Sequence, residues 1–191
     1  MLFRSARLVE GQIAETAGPA DGQDPVEHHL EVLAGKTGAL ISTSARLGAL
    51  MAGASARDVD TVTRFGEVIG LAFQLSDDLI DVLSDSGESG KTPGTDLREG
   101  VRTLPVLLVL AGDEATPEDA RLRTLLSGDL DDDERLAEAL RLLRAHPAMD
   151  AARRELRRYA ESARELLAPL PDIPAKAALA AICDQVVNRT G

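Results

Sequence analysis

An all-helical protein is what the sequence predicts, on three observations. Only four residues are aromatic (Phe3, Phe65, Phe73 and Tyr159), so the core must be built from Leu, Ala, Val and Ile, a mixture that favours helices over sheets. Apolar residues recur at three- and four-residue steps through most of the chain. No series of strand-length alternations interrupts them. At 191 residues, 44% of them hydrophobic, the chain is expected to form a single domain over 1–191, two small ones at most.

The elements follow in order. Leu2, Ala6, Val9 and Ile13 space a first helix over about 2–16. "AGPADGQDP" (17–25) ends it, because Gly and Pro continue a helix poorly. A long helix is expected from Val26 to Ala52, with Gly35, Gly38, Ala39 and Gly48 among its leucines allowing close approach of a neighbour. Ser55 is placed to cap the next helix, expected over about 57–83 and apolar nearly all round beyond Phe65, the mark of a buried helix. "SDSGESGKTPGTDLREG" (84–100) reads as a loop long enough to suggest function. The run "VRTLPVLLVLAG" opens another apolar helix, and further helices are expected over about 117–127, 132–145, 149–167 and 176–187.

Charge narrows the function. With a net charge of -11, the chain would be repelled by a nucleic-acid backbone or an anionic membrane. No apolar run approaches the roughly 18 residues of a membrane span; the longest is "LPVLLVLAG" from Leu104. The single Cys183 excludes an internal disulfide and fits a reducing cytosol. The opening residues are charged too early and too often for a secretory signal. A cytoplasmic protein is expected.

One stretch resists this plain reading. In "FQLSDDLIDV" (73–82), Asp77, Asp78 and Asp81 stand among Leu, Ile, Val and Phe. Gln74, Asp77 and Asp81 form one helix stripe, with Asp78 about 100° round from Asp77. Like charges four residues apart disfavour a helix, and desolvating them costs several kcal/mol more. Mg²⁺ would offset that cost, since it prefers oxygen ligands and takes one or two carboxylates with phosphates and waters. A solvated acidic face is the alternative: with 18 Asp in the chain, a D-D-x-x-D string arises readily by chance, and only its apolar surroundings favour the metal. Two of the three lysines are placed suggestively. Lys36 lies between Gly35 and Gly38, and Lys91 lies between Gly90 and Gly94 in the long loop. The other charge-rich stretches, "DLDDDER" (129–135) and "RRELRR" (153–158), read as solvated faces.

Taken together, "LAGKTGALI" (33–41), "FGEVIGLAFQLSDDLIDVLSD" (65–85) and "GKTPGTDLREGVRTLPVLLVL" (90–110) resemble, in order and spacing, the C-terminal part of a trans-polyprenyl diphosphate synthase. The resemblance implies a helical bundle of the isoprenoid synthase type. It also implies a chemistry: two aspartate-rich motifs hold three Mg²⁺ ions on the diphosphate of an allylic substrate, and isopentenyl diphosphate attacks the resulting cation. Matched residue by residue, it implies Asp77 and Asp78 as Mg²⁺ ligands, with Asp81 completing the motif. Lys36, Thr37 and Gln74 match positions that bind the allylic diphosphate, and Lys91 matches a loop lysine that closes over it. Asp96 matches a loop aspartate behind the site, and Gly11-Gln12 resembles a cavity-lining position.

The first aspartate-rich motif and the arginine pair after it have no counterpart here, and Val101 stands where many members carry lysine. The chain is therefore expected to be the last half to two-thirds of such a fold, truncated at its N-terminus. It would act as a transferase fragment or, alternatively, as a non-catalytic regulatory subunit of a heteromeric synthase. A homodimer, or a heteromer with another synthase chain, is the expected assembly. A class I terpene cyclase is disfavoured, because its second metal motif requires Asn or Asp followed by Ser/Thr and Glu at four-residue steps.

Overall fold

The structure is a computed structural model that describes residues 2–84 and 93–189, with side chains from Ala6 onward. Among the described residues every regular element is helical. The ten α-helices are α1 (Leu2–Ala17), α2 (Pro25–Leu33), α3 (Ala39–Met51), α4 (Ala56–Leu83), α5 (Thr95–Arg98), α6 (Leu104–Ala111), α7 (Pro117–Leu126), α8 (Asp133–Ala145), α9 (Pro147–Leu166) and α10 (Pro174–Asn188). A π-helical turn, Ala34–Gly38, joins α2 to α3.

The starts of these helices are written locally. Asp24 accepts from the Val26 amide at 2.7 Å, and Pro25 occupies the first turn of α2, where its missing N–H costs nothing. Ser55 accepts from the Asp58 amide at 3.1 Å, which makes it the expected cap of α4. Thr116 and Asp119 cap each other's amides at the start of α7.

The chain divides into two compact units, Met1–Gln74 with Leu156–Arg189 and Leu75–Glu155. In the first, α1 packs on α2, α3 and the π turn. Val32, Leu33, Ala39, Phe65, Ile69 and Ala72 are buried there, as are Leu156, Ala160, Ala163 and Leu167. In the second, α7 packs on α6 and α8. Helix α6 is buried along most of its length at Leu104–Leu107 and Val109, as its all-round apolar sequence requires. In α8 the buried face is Leu136, Ala139, Leu140 and Leu143, at steps of three, one and three.

Two expectations are corrected. The helix expected over 26–52 is interrupted by the π turn at "AGKTG", and the loop expected over 84–100 contains the four-residue helix α5. Lys91, and with it residues 85–92, lies outside the described residues.

Candidate functional site

The residues singled out by the sequence fall into one group in each unit. The first group is built on glycines. A Cβ on Gly11 would lie 3.1 Å from the Gly35 carbonyl carbon, and one on Gly70 would lie 2.9 Å from Gly38 Cα. Only residues without side chains allow α1 and α4 to approach the π turn this closely. Such turns insert an extra residue into a helix and recur at functional sites. Here the turn carries Lys36 and Thr37.

Each of the two has a partner. Lys36 Nζ sits 2.6 Å from Glu15 Oε2, one turn along α1 from Gly11. The Gln12 amide donates to the same Glu15 oxygen at 2.7 Å. This ion pair is partly exposed, with 28% and 39% of the two side chains accessible, so its worth is about 0–1 kcal/mol and a multiply charged anion can displace it. Thr37 Oγ1 donates to Gln74 Oε1 at 3.0 Å. That bond turns the Gln74 amide so that Nε2 is the end left to donate. A lysine cation, a hydroxyl oxygen and an amide N–H₂ are groups that recognise phosphate oxygens.

The second group is the acidic turn of α4. Asp78 is 4% exposed, while Asp77 and Asp81 are half-buried. The Leu104 amide points at Asp78 Oδ2 over a long 3.5 Å. Leu104 opens α6, whose preceding residue Thr103 makes no side-chain cap, so Asp78 takes that place from another helix. Asp81 is engaged more fully. Its Oδ1 accepts from the Thr95 amide at 3.1 Å and its Oδ2 from the Asp96 amide at 3.2 Å. Its main-chain oxygen accepts from Gly94 at 2.9 Å.

Part of the desolvation cost of these carboxylates is therefore met by backbone amides at the starts of α5 and α6. Among the described residues no three His, Cys, Asp or Glu side chains converge as a ligand cluster. On this turn of α4, Asp77 and Asp78 are adjacent in sequence and supply two carboxylates. That donor set suits a single hard cation whose remaining positions go to phosphate oxygens and waters.

Sequence reasoning missed Glu15 and Arg144. Glu15 could have been found, because it lies four residues after Gly11 on the same face of α1. Arg144 gave no signal: it sits in the last turn of α8 but donates to Val82 and Ser84, at 2.7 and 2.8 Å, at the end of α4.

Comparison with known proteins identifies a family. The sequence profile of one family, described as Polyprenyl synthetase, matches residues 3–143. The chain is 50% identical over 186 residues to the nonaprenyl diphosphate synthase of Mycobacterium tuberculosis, covering 97% of this chain and 55% of that protein. It is 43% identical over 183 residues to the dimethylallyltranstransferase of the same organism, covering 96% of this chain and 54% of that one. Among solved structures, it resembles the geranylgeranyl pyrophosphate synthase of Corynebacterium glutamicum complexed with calcium and isoprenyl diphosphate, with a TM-score of 0.89 and 43% identity over 100% of this chain and 58% of that one. The chain spans about half the length of the curated relatives it matches.

Proposed function

The chain belongs to the polyprenyl synthetase family, and on that premise we propose that it is the diphosphate-holding part of a prenyl-transferring synthase. Its ligand is an allylic diphosphate held with Mg²⁺, and the reaction it serves is head-to-tail condensation with isopentenyl diphosphate. The observation that carries this reading is the pair Asp77–Asp78, one carboxylate half-buried and one 4% exposed, on a stretch of helix that is otherwise apolar and largely buried. A bare diphosphate would be repelled there, and a cation removes the repulsion. The Corynebacterium glutamicum relative, solved with calcium and isoprenyl diphosphate, supports a hard divalent cation as the mediator.

Asp77 and Asp78 would hold the ion. When bound, Mg²⁺ neutralises charge on the diphosphate and makes it a better leaving group. The remaining work falls to the protein. Within the first unit, the Lys36–Glu15 ion pair is partly exposed and of little intrinsic worth, so an anionic oxygen can displace it. Thr37, by holding Gln74 Oε1, leaves the Gln74 N–H₂ turned to donate to an anion. No described helix is long and apolar enough to cross a membrane, which suits a ligand delivered from solution.

Calorimetry tests the reading. Pyrophosphate titrated with and without Mg²⁺ should bind only in its presence, and Asp77→Ala should weaken that binding at least tenfold. Binding that needs no metal, or that is unchanged in Asp77→Ala, would sink the proposal.

A further inference from the structure

The geometry assigns Asp81 the role of a positioning residue instead of a metal ligand, with Arg144 as its counterpart; this rests on the reading of Asp77 and Asp78 proposed above. The three aspartates look equivalent in the sequence but are not equivalent in space. Both Asp81 carboxylate oxygens accept from consecutive amides, Thr95 and Asp96, while its main-chain oxygen accepts from the amide before them, Gly94. One residue thus holds three successive N–H groups. Both oxygens are thus committed to charge-assisted bonds from backbone donors that need an acceptor, and a metal ion would compete with them for the remaining lone pairs.

The anchored turn is itself tightly set. Gly94 is buried with φ +75°, and a Cβ there would lie 3.0 Å from a Leu140 methyl and 3.1 Å from a Leu136 methyl. The same helix, α8, supplies Arg144. Its Nε donates to the Val82 carbonyl at 2.7 Å and its Nη2 to the Ser84 carbonyl at 2.8 Å. Carbonyls at a helix C-terminus lack intrahelical donors, and a cation there also complements the helix dipole. Helix α8 therefore grips the last turn of α4 through Arg144 and abuts Gly94 through Leu136 and Leu140. Asp81 ties the two pieces together. Asp77 sits one turn before Asp81, so whatever fixes this end of α4 fixes the direction in which the Asp77 carboxylate points.

Positioning and ligation make different predictions for the metal. In the 191-residue chain, measure pyrophosphate affinity at saturating Mg²⁺ and, separately, the Mg²⁺ concentration at half-binding, for the parent, Asp77→Asn, Asp81→Asn and Arg144→Gln. Asp77→Asn should move the Mg²⁺ midpoint tenfold or more. Asp81→Asn should leave that midpoint within about twofold while lowering pyrophosphate affinity several-fold. Exchange of the Thr95 and Asp96 amides, followed by hydrogen–deuterium exchange, should quicken at least tenfold. Arg144→Gln, which removes the guanidinium bonds to the Val82 and Ser84 carbonyls, should reproduce the affinity loss at an unmoved midpoint. A tenfold midpoint shift in Asp81→Asn overturns this inference alone. Parent protein that shows no metal-dependent binding overturns the functional reading, and this inference with it. Should Asp81→Asn fail to fold, Arg144→Gln decides by itself: unchanged affinity would remove the positioning role.

Discussion

Ser76, one residue before the carboxylate pair, is 0% exposed, and its hydroxyl has no hydrogen-bond partner among the described residues. A buried hydroxyl without a partner costs about 1–3 kcal/mol, and Ala is the better helix former. Ser76→Ala should therefore stabilise the protein by about 1 kcal/mol, seen as a higher urea midpoint at unchanged m-value. The residue scale is also where the sequence was least informative. D-D-x-x-D announced a carboxylate cluster, yet nothing in the string told Asp81 from Asp77. The difference lies in backbone amides 14 and 15 residues further on. Arg144 was opaque for the same reason: its partners are about 60 residues away, so no local period reveals them.

At the level of elements the reading went further. Each helix expected from apolar spacing is present, with ends displaced by no more than three residues, because burial of an apolar stripe selects the same residues that show the period. Two features escaped. Helix α5 is only four residues long, too short to show a period, and it owes its start to Asp81 and to Gly94 in the left-handed region. The π turn keeps a helical spacing in sequence, so it becomes visible only where Gly11 and Gly70 close on it. Glycines in α3 and α4 consequently differ in what they do. A Cβ at Gly66 would lie 2.7 Å from Ser42 Cα, which is backbone and cannot swing aside, whereas one at Gly48 meets nothing within 4 Å. Gly66→Ala should destabilise by about 2 kcal/mol or more through overpacking. Gly48→Ala should stabilise by about 0.5–1 kcal/mol, since it relieves only the entropy of a helical glycine. Thermal unfolding of the two variants beside the parent checks both, and equal shifts would mean that the close approach of α3 and α4 is not a constraint.

On the scale of the whole molecule, the family was legible because three motifs kept their order and spacing, and a short string that is weak alone becomes specific in company. What the chain can do by itself is a separate question, answered by its inventory of charge. The 191 residues contain one D-D-x-x-D, Asp77–Asp81, and backbone amides engage the carboxylates of Asp78 and Asp81. Ionising an allylic C–O bond requires the departing diphosphate to be neutralised, and each 1.36 kcal/mol of missing transition-state stabilisation is a tenfold loss in rate. One carboxylate pair falls well short of the three-metal arrangement that the family resemblance implies. Apolar side chains also stand exposed on α1 and α3, where Val9, Ile13, Leu40, Leu50 and Met51 are 49–87% accessible. Faces of this kind invite self-association or a covering polypeptide. This chain alone should therefore incorporate no radiolabelled isopentenyl diphosphate into an allylic primer above background, while still binding pyrophosphate with Mg²⁺. A separately expressed segment carrying a second aspartate-rich motif, added in excess, should restore incorporation and lower the accessibility of Val9 and Ile13. Robust product from the chain alone would show that a single carboxylate pair suffices for ionisation, and the charge argument would then fail.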